Sequence, residues 1–121
     1  MEAKELMIGD KVMVKVLSQI PDTYVLHTWT ANDYSRDIQV KPIPLTPEIL
    51  EKNGFIKVNS QRYDYGCPDT DCYVKVNPKK NMIHVNGRNA NSNLYSHSFV
   101  HELQRALRLC GLDELADNFK V

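Results

Sequence analysis

The 121-residue sequence has no net charge to steer it: fifteen Lys and Arg balance fifteen Asp and Glu. Such a balance creates no overall field toward phosphate backbones or anionic lipid headgroups, so net charge gives nucleic-acid or membrane binding no support. Long apolar runs are also missing. Met1-Glu2-Ala3-Lys4-Glu5 carries both signs of charge and leads into no stretch of about twenty apolar residues, so neither a signal peptide nor a membrane span is expected and the expected location is the cytoplasm. Cysteine is scarce and odd in number, Cys67, Cys72 and Cys110, which favours reduced thiols over a disulfide framework. There is no internal repeat, no low-complexity tract, no glycine-rich phosphate cradle and no nucleophile elbow.

What remains is an ordinary globular composition, 42% hydrophobic and 25% charged, in a chain of the size at which one core usually forms. A single domain over residues 1–121 is expected, alone or as a homo-oligomer. After the Gly9-Asp10 turn, Val12, Val14 and Val16 alternate with Lys11, Met13 and Lys15 at the period of a half-buried strand. Pro21-Asp22 makes the next turn, and Tyr24 to Thr30 reads as its hairpin partner. Ile38 and Val40 continue the first sheet until Pro42 and Pro44 remove ladder donors. A short central helix is capped by Thr46, opened by Pro47, stapled by Leu45 and Leu50, and stopped by Gly54.

From Phe55 to Asn86, apolar pairs at strand spacing alternate with the turns 67–71 and 77–81, which predicts a meander. Residues 87–93, with three asparagines, read as an exposed loop. Phe99, Val100, Leu103, Ala106, Leu107 and Cys110 then recur at helical spacing, with Ser98 placed to cap the start and Gly111 to end it. A terminal turn at 113–119 has Leu115 and Phe119 spaced to dock on the core. The expected class is α+β: a small antiparallel sheet, curling toward a barrel in its N-terminal third, with a short central helix and a C-terminal helix.

Three stretches carry a resemblance: Leu6 to Gly9, Pro44 to Leu50 followed by Gly54-Phe55, and Val100-His101-Glu102-Leu103-Gln104. Together they resemble a family of small uncharacterised proteins of gut anaerobes and their prophages. Members of that family have a Leu-x-Ile-Gly start, a Pro-Leu-Thr-x-Glu-x-Leu block followed by Gly-Phe, and a Val-His-x-Leu-Gln block near the end. The resemblance covers about a third of the chain and implies a mobile-element or gut-symbiont setting. It implies no activity and no catalytic residue.

Several constellations approach known chemistry and miss it. His101-Glu102-Leu103-Gln104-Arg105 is one residue short of the zinc-protease helix, because Arg105 stands where the second imidazole belongs and a guanidinium has no lone pair to give. Cys67, Cys72, His97 and His101 form a Cys₂His₂ set in the right order, but with four and twenty-four intervening residues where a finger has two to four and about a dozen. Asp69-x-Asp71 starts like a calcium loop, and Tyr73 and Val74 break it.

Two binding surfaces are readable. Tyr63 and Tyr65 share one face of a strand beside Arg62, an arrangement suited to stacking single-stranded nucleic acid. His101, Gln104, Arg105 and Arg108 make a modest basic face on the last helix, of the kind every amphipathic helix presents to solvent. No cofactor and no catalytic residue is expected. The favoured reading is a non-enzymatic binding or adaptor protein acting through protein contacts. The alternatives are a nucleic-acid-binding small barrel using Arg62, Tyr63 and Tyr65, and a metal-dependent hydrolase assembled from distant residues.

Overall fold

The computed structural model describes residues 5–16, 24–35, 38–67, 72–87, 90–95 and 98–121. Strands β1 (Lys11–Val16), β2 (Val25–Thr28) and β3 (Ile38–Lys41) form an antiparallel sheet in the order β2-β1-β3. Helix α1 (Pro47–Lys52) follows. Strands β4 (Ile56–Lys57), β5 (Tyr63–Cys67), β6 (Cys72–Asn77), β7 (Met82–Gly87) and β8 (Ala90–Tyr95) then run as an antiparallel meander in sequence order. Helices α2 (Val100–Leu109) and α3 (Asp113–Asp117) complete the chain. The class is α+β as expected. The curl toward a barrel does not occur, because β2 and β3 each pair with β1 and not with each other, leaving an open sheet with two edges.

β1 is covered on both faces, which is how it ties the two halves together. Val12 and Val14 join Leu6 and Trp29 in a small cluster, while Met13, on the opposite face, packs against the main core. That main core lies between the inner face of the five-stranded sheet (Tyr63, Val74, Val76, Ile83, Val85) and the apolar stripe of α2 (Val100, Leu103, Ala106, Leu107, Cys110). Ala116 and Phe119 from the C-terminal turn close its end.

The helix punctuation follows the sequence closely. Thr46 Oγ1 accepts the Ile49 N–H at 3.2 Å, Pro47 sits at the first helical position, and Leu45 and Leu50 are both buried. α1 ends in a Schellman motif: the Phe55 N–H donates to Leu50 O at 3.0 Å and the Gly54 N–H to Glu51 O at 3.1 Å, with Gly54 at φ 85°. α2 ends the same way, Leu112 N–H donating to Leu107 O and Gly111 N–H to Arg108 O. Each motif turns an apolar residue, Phe55 or Leu112, back onto the main core.

Two local expectations are corrected. Ser98 does not cap α2. It lies at φ 61°, with its hydroxyl 3.0 Å from both Pro78 O and Asn81 Oδ1, tying the helix entry to the β6–β7 turn. Phe99 is the N-cap residue, and the Glu102 carboxylate three residues on accepts its N–H at 3.2 Å. The expected loop at 87–93 is in large part sheet: β7 runs to Gly87, and β8 pairs with it from Gly87↔Ala90 to Met82↔Tyr95. An edge strand needs a backbone ladder on one side only, so a polar, asparagine-rich sequence can serve. Arg88 and Asn89 lie outside the described residues.

Candidate binding surfaces

The polar face of α2 is a joint and not a solvated surface. Gln104 is fully buried there. Its Oε1 accepts the Lys11 N–H at 2.8 Å, and its Nε2 donates to Gly9 O and to Ala116 O, both at 2.9 Å. Asp10, also fully buried, accepts the Met7 N–H at 2.9 Å and the Arg108 Nη1 at 3.1 Å, with Arg105 Nη2 at 3.5 Å. Arg105 donates in addition to Glu5 O. Gly9 lies at φ 96°, which strains any side chain, and a Cβ there would stand 2.8 Å from Arg108 Nη2 and press on the guanidinium. The guanidinium can therefore cross the turn to reach Asp10.

His101 is 5% exposed and stacks on Phe99 at 5.9 Å between ring centroids. Burial, and then the Arg105 charge, push its imidazole below the ordinary 6.5, against the pull of Asp10, Glu102 and Glu5. The face assigned to solvent is thus covered by residues 5–11, and Arg105 and Arg108 balance a buried carboxylate. Backbone contacts also tie α2 to the segments that precede both sheets. Gly9 and Lys11 bind Gln104, Pro44 bridges to Phe99, and Val100 N–H donates to Ile43 O at 2.8 Å.

For the cysteine–histidine set, Cys67 and Cys72 have directly paired backbones at the end of the β5–β6 hairpin. Their side chains and the whole of His97 lie outside the described residues. Among the described residues no three His, Cys, Asp or Glu groups come close enough to hold a metal ion.

Tyr63 and Tyr65 do share a face, and it is the inner one. Tyr63, opposite Val76, is 5% exposed in the main core. Tyr65, opposite Val74, packs its ring 5.4 Å from that of Phe55 and lines a depression of about 480 Å³ with Lys52, Asn53, Leu112 and Lys120. Arg62 points with the other face and pairs with Asp64, its Nε 3.2 Å from Oδ1. The pairing register decides this: β5 residues opposite the buried valines of β6 must themselves face inward.

The surface that the sequence did not advertise lies on the three-stranded sheet. Among the described residues, six of the nine exposed large apolar side chains belong to residues 7–34: Met7, Ile8, Tyr24, Val25, Leu26 and Tyr34. β2 is an edge strand, and both faces of its start are open, with Val25 56% and Leu26 52% exposed. Beside it, the Lys15 and Lys41 ammonium groups lie 5.6 and 5.7 Å from the Tyr24 ring centroid. This basic, aromatic flank is invisible to net charge.

The same sheet is braced from below. Asp33 Oδ2 accepts the Thr30 N–H and Thr30 Oγ1 at 2.8 Å and meets His27 Nε2 at 2.7 Å. Burial opposes ionisation of Asp33, but the bonds from His27 and Thr30 outweigh it and hold the carboxyl well below the usual range. Since Asp33 stays ionised, His27 Nε2 carries the proton it donates. Tyr34 packs edge-on to Trp29 at 5.5 Å and donates to Leu6 O at 2.5 Å. No helix among the described residues is long and apolar enough to cross a membrane. No protein-family model, curated protein or solved structure matches the chain.

Proposed function

We propose that the chain is a non-enzymatic binding or adaptor protein of a mobile element or prophage, and that it engages a protein partner through the β2 edge of the three-stranded sheet. The observation that carries this is the concentration of exposed apolar side chains on one edge strand and the loop beside it, where Ile8, Val25 and Leu26 are all more than half exposed. Alternate backbone donors and acceptors of an edge strand face outward and accept a strand from another chain. The occupant is an extended segment of the partner in which adjacent apolar residues, one for each face, are followed by acidic ones. The apolar groups cover Val25 and Leu26, and the acids meet Lys15 and Lys41 around Tyr24. The setting rests on the sequence resemblance alone.

The test is affinity capture from the native host with the tagged chain and two charge-insertion variants. Leu26→Glu is expected to lose the partner and Ile56→Glu, on the far sheet, to keep it, with both variants folded by circular dichroism. Half-burying a leucine stabilises by about 1–1.5 kcal/mol, so a loss of tenfold or more in affinity is expected. Equal capture by both variants would remove the β2 edge from the reading.

A further inference from the structure

The outer face of the five-stranded sheet has a different character from both surfaces above. Val74, Val76, Ile83 and Val85 point inward, so the alternate residues Tyr73, Lys75, Asn77, Met82, His84 and Asn86 lie on the opposite face, joined by Asp64 of β5 and by Arg62 just before it. Tyr73 has the Lys75 ammonium 4.9 Å from its ring centroid and the His84 ring at 6.0 Å, tilted by 30°. Arg62, Lys75, Asn77, Met82 and His84 line a depression of about 300 Å³. The β6–β7 turn at its end adds the exposed Lys79 and Lys80. Among the described residues the only carboxylate on this face is Asp64, which stands opposite Lys75 in the ladder and is ion-paired with Arg62.

Four of the fifteen Lys and Arg of a chain with no net charge thus lie on this face or in the turn at its end, around a tyrosine. We propose that this face binds single-stranded nucleic acid, with Tyr73 as the stacking platform and Arg62, Lys75, Lys79 and Lys80 tracking the phosphates. A sheet covered on one side by a helix and open on the other offers a flat platform on which unpaired bases can lie. Stacking on an aromatic ring tolerates any base, while the cations supply affinity without sequence readout. A duplex hides its base faces inside the stack and would gain only the phosphate contacts. The surface is distinct from the β2 edge, so the protein partner and the nucleic acid do not compete for the same residues.

The experiment is fluorescence anisotropy of labelled single-stranded oligonucleotides titrated with the full chain at low salt. Binding is expected to weaken with salt at a log–log slope of about −2 to −3, for three or four cations at about −0.7 each. Tyr73→Ala is expected to cost about tenfold in affinity, Tyr73→Phe to retain binding, and Lys75→Glu to abolish it, all with unchanged urea midpoints. Leu26→Glu should bind like the parent, which separates this outcome from the fate of the β2 edge. The proposal is overturned by an absence of binding at low salt or by Tyr73→Ala binding like the parent. It is equally overturned if duplex or polyglutamate binds as tightly, which would reduce the face to a charge patch for acidic polymers.

Discussion

Replacing Gln104 by leucine should loosen the joint between the two sheets while leaving the apolar packing nearly intact. Leucine matches glutamine roughly in volume and suits a helix, so neither a cavity nor a propensity penalty is created. What it removes is the partner of two backbone groups, the Lys11 N–H and the Gly9 carbonyl, and one of the partners of the Ala116 carbonyl, which also accepts the Phe119 N–H at 3.4 Å; the three bonds to the fully buried amide are 2.8–2.9 Å long. An orphaned buried polar group costs about 1–3 kcal/mol. For two such groups, with the added apolar burial and some entry of water set against their cost, a net loss of about 2–4 kcal/mol is expected, a large part of the 5–15 kcal/mol typical of a domain.

Trp29 is the single tryptophan of the chain and sits in the small cluster with Leu6, Val12 and Val14. Its emission therefore reports the three-stranded sheet, while far-ultraviolet circular dichroism reports the whole. Urea titrations of Gln104→Leu followed by both signals should show lower midpoints, with the Trp29 transition moving first because two of the three lost bonds anchor Gly9 and Lys11. A loss below about 1 kcal/mol, or coincident transitions at the parental midpoint, would refute the role given to Gln104.

Protonation should weaken the same joint. The His101 imidazole titrates below 6.5 when folded, so below that pH the unfolded chain binds more protons. The stability from neutral His101 is complete above pH 6.5 and is lost as pH falls toward the folded value. Urea midpoints measured from pH 7.5 to 5 should decline for the parent chain and much less for His101→Phe, which keeps the stack on Phe99. The Asp33 carboxyl, held below its usual 3.8, adds stability above that pH which disappears as the medium becomes more acid. Asp33→Asn should lower stability at pH 7 by about 1–3 kcal/mol, the worth of hydrogen bonds to a charged group. It should also flatten the acid limb of the pH profile, as read by Trp29 emission.

The features legible in the sequence were those set by local chemistry. Thr46 with Pro47, Gly54 and Gly111 mark helix ends, the valines of β1 mark a strand, and the turn residues after β5 and β6 mark a meander; each needs only its neighbours along the chain. What depended on pairing or coverage was not legible. β8 carries little apolar pattern because its ladder with β7 is made by backbone. Ser98 has a capping side chain, but the backbone at φ 61° turns it to the β6–β7 turn instead. The spacing of His101, Gln104, Arg105 and Arg108 shows a polar face, yet periodicity cannot say that residues 5–11 will cover it. Tyr63 and Tyr65 were readable as sharing a face, while the choice of face came from the β5–β6 register. The exposed β2 edge lacks a motif altogether, since it consists of ordinary strand residues that nothing among the described residues covers.

The most direct test of the proposed function places a photo-crosslinking amino acid at position 26 and, separately, at position 56, in the chain expressed in its native host. Irradiation should give a discrete adduct from position 26 and none from position 56. The crosslinked peptide should come from one partner and carry adjacent apolar residues beside acidic ones. Adducts of equal yield from both positions, or none from position 26 in folded protein, would contradict a docking edge on β2.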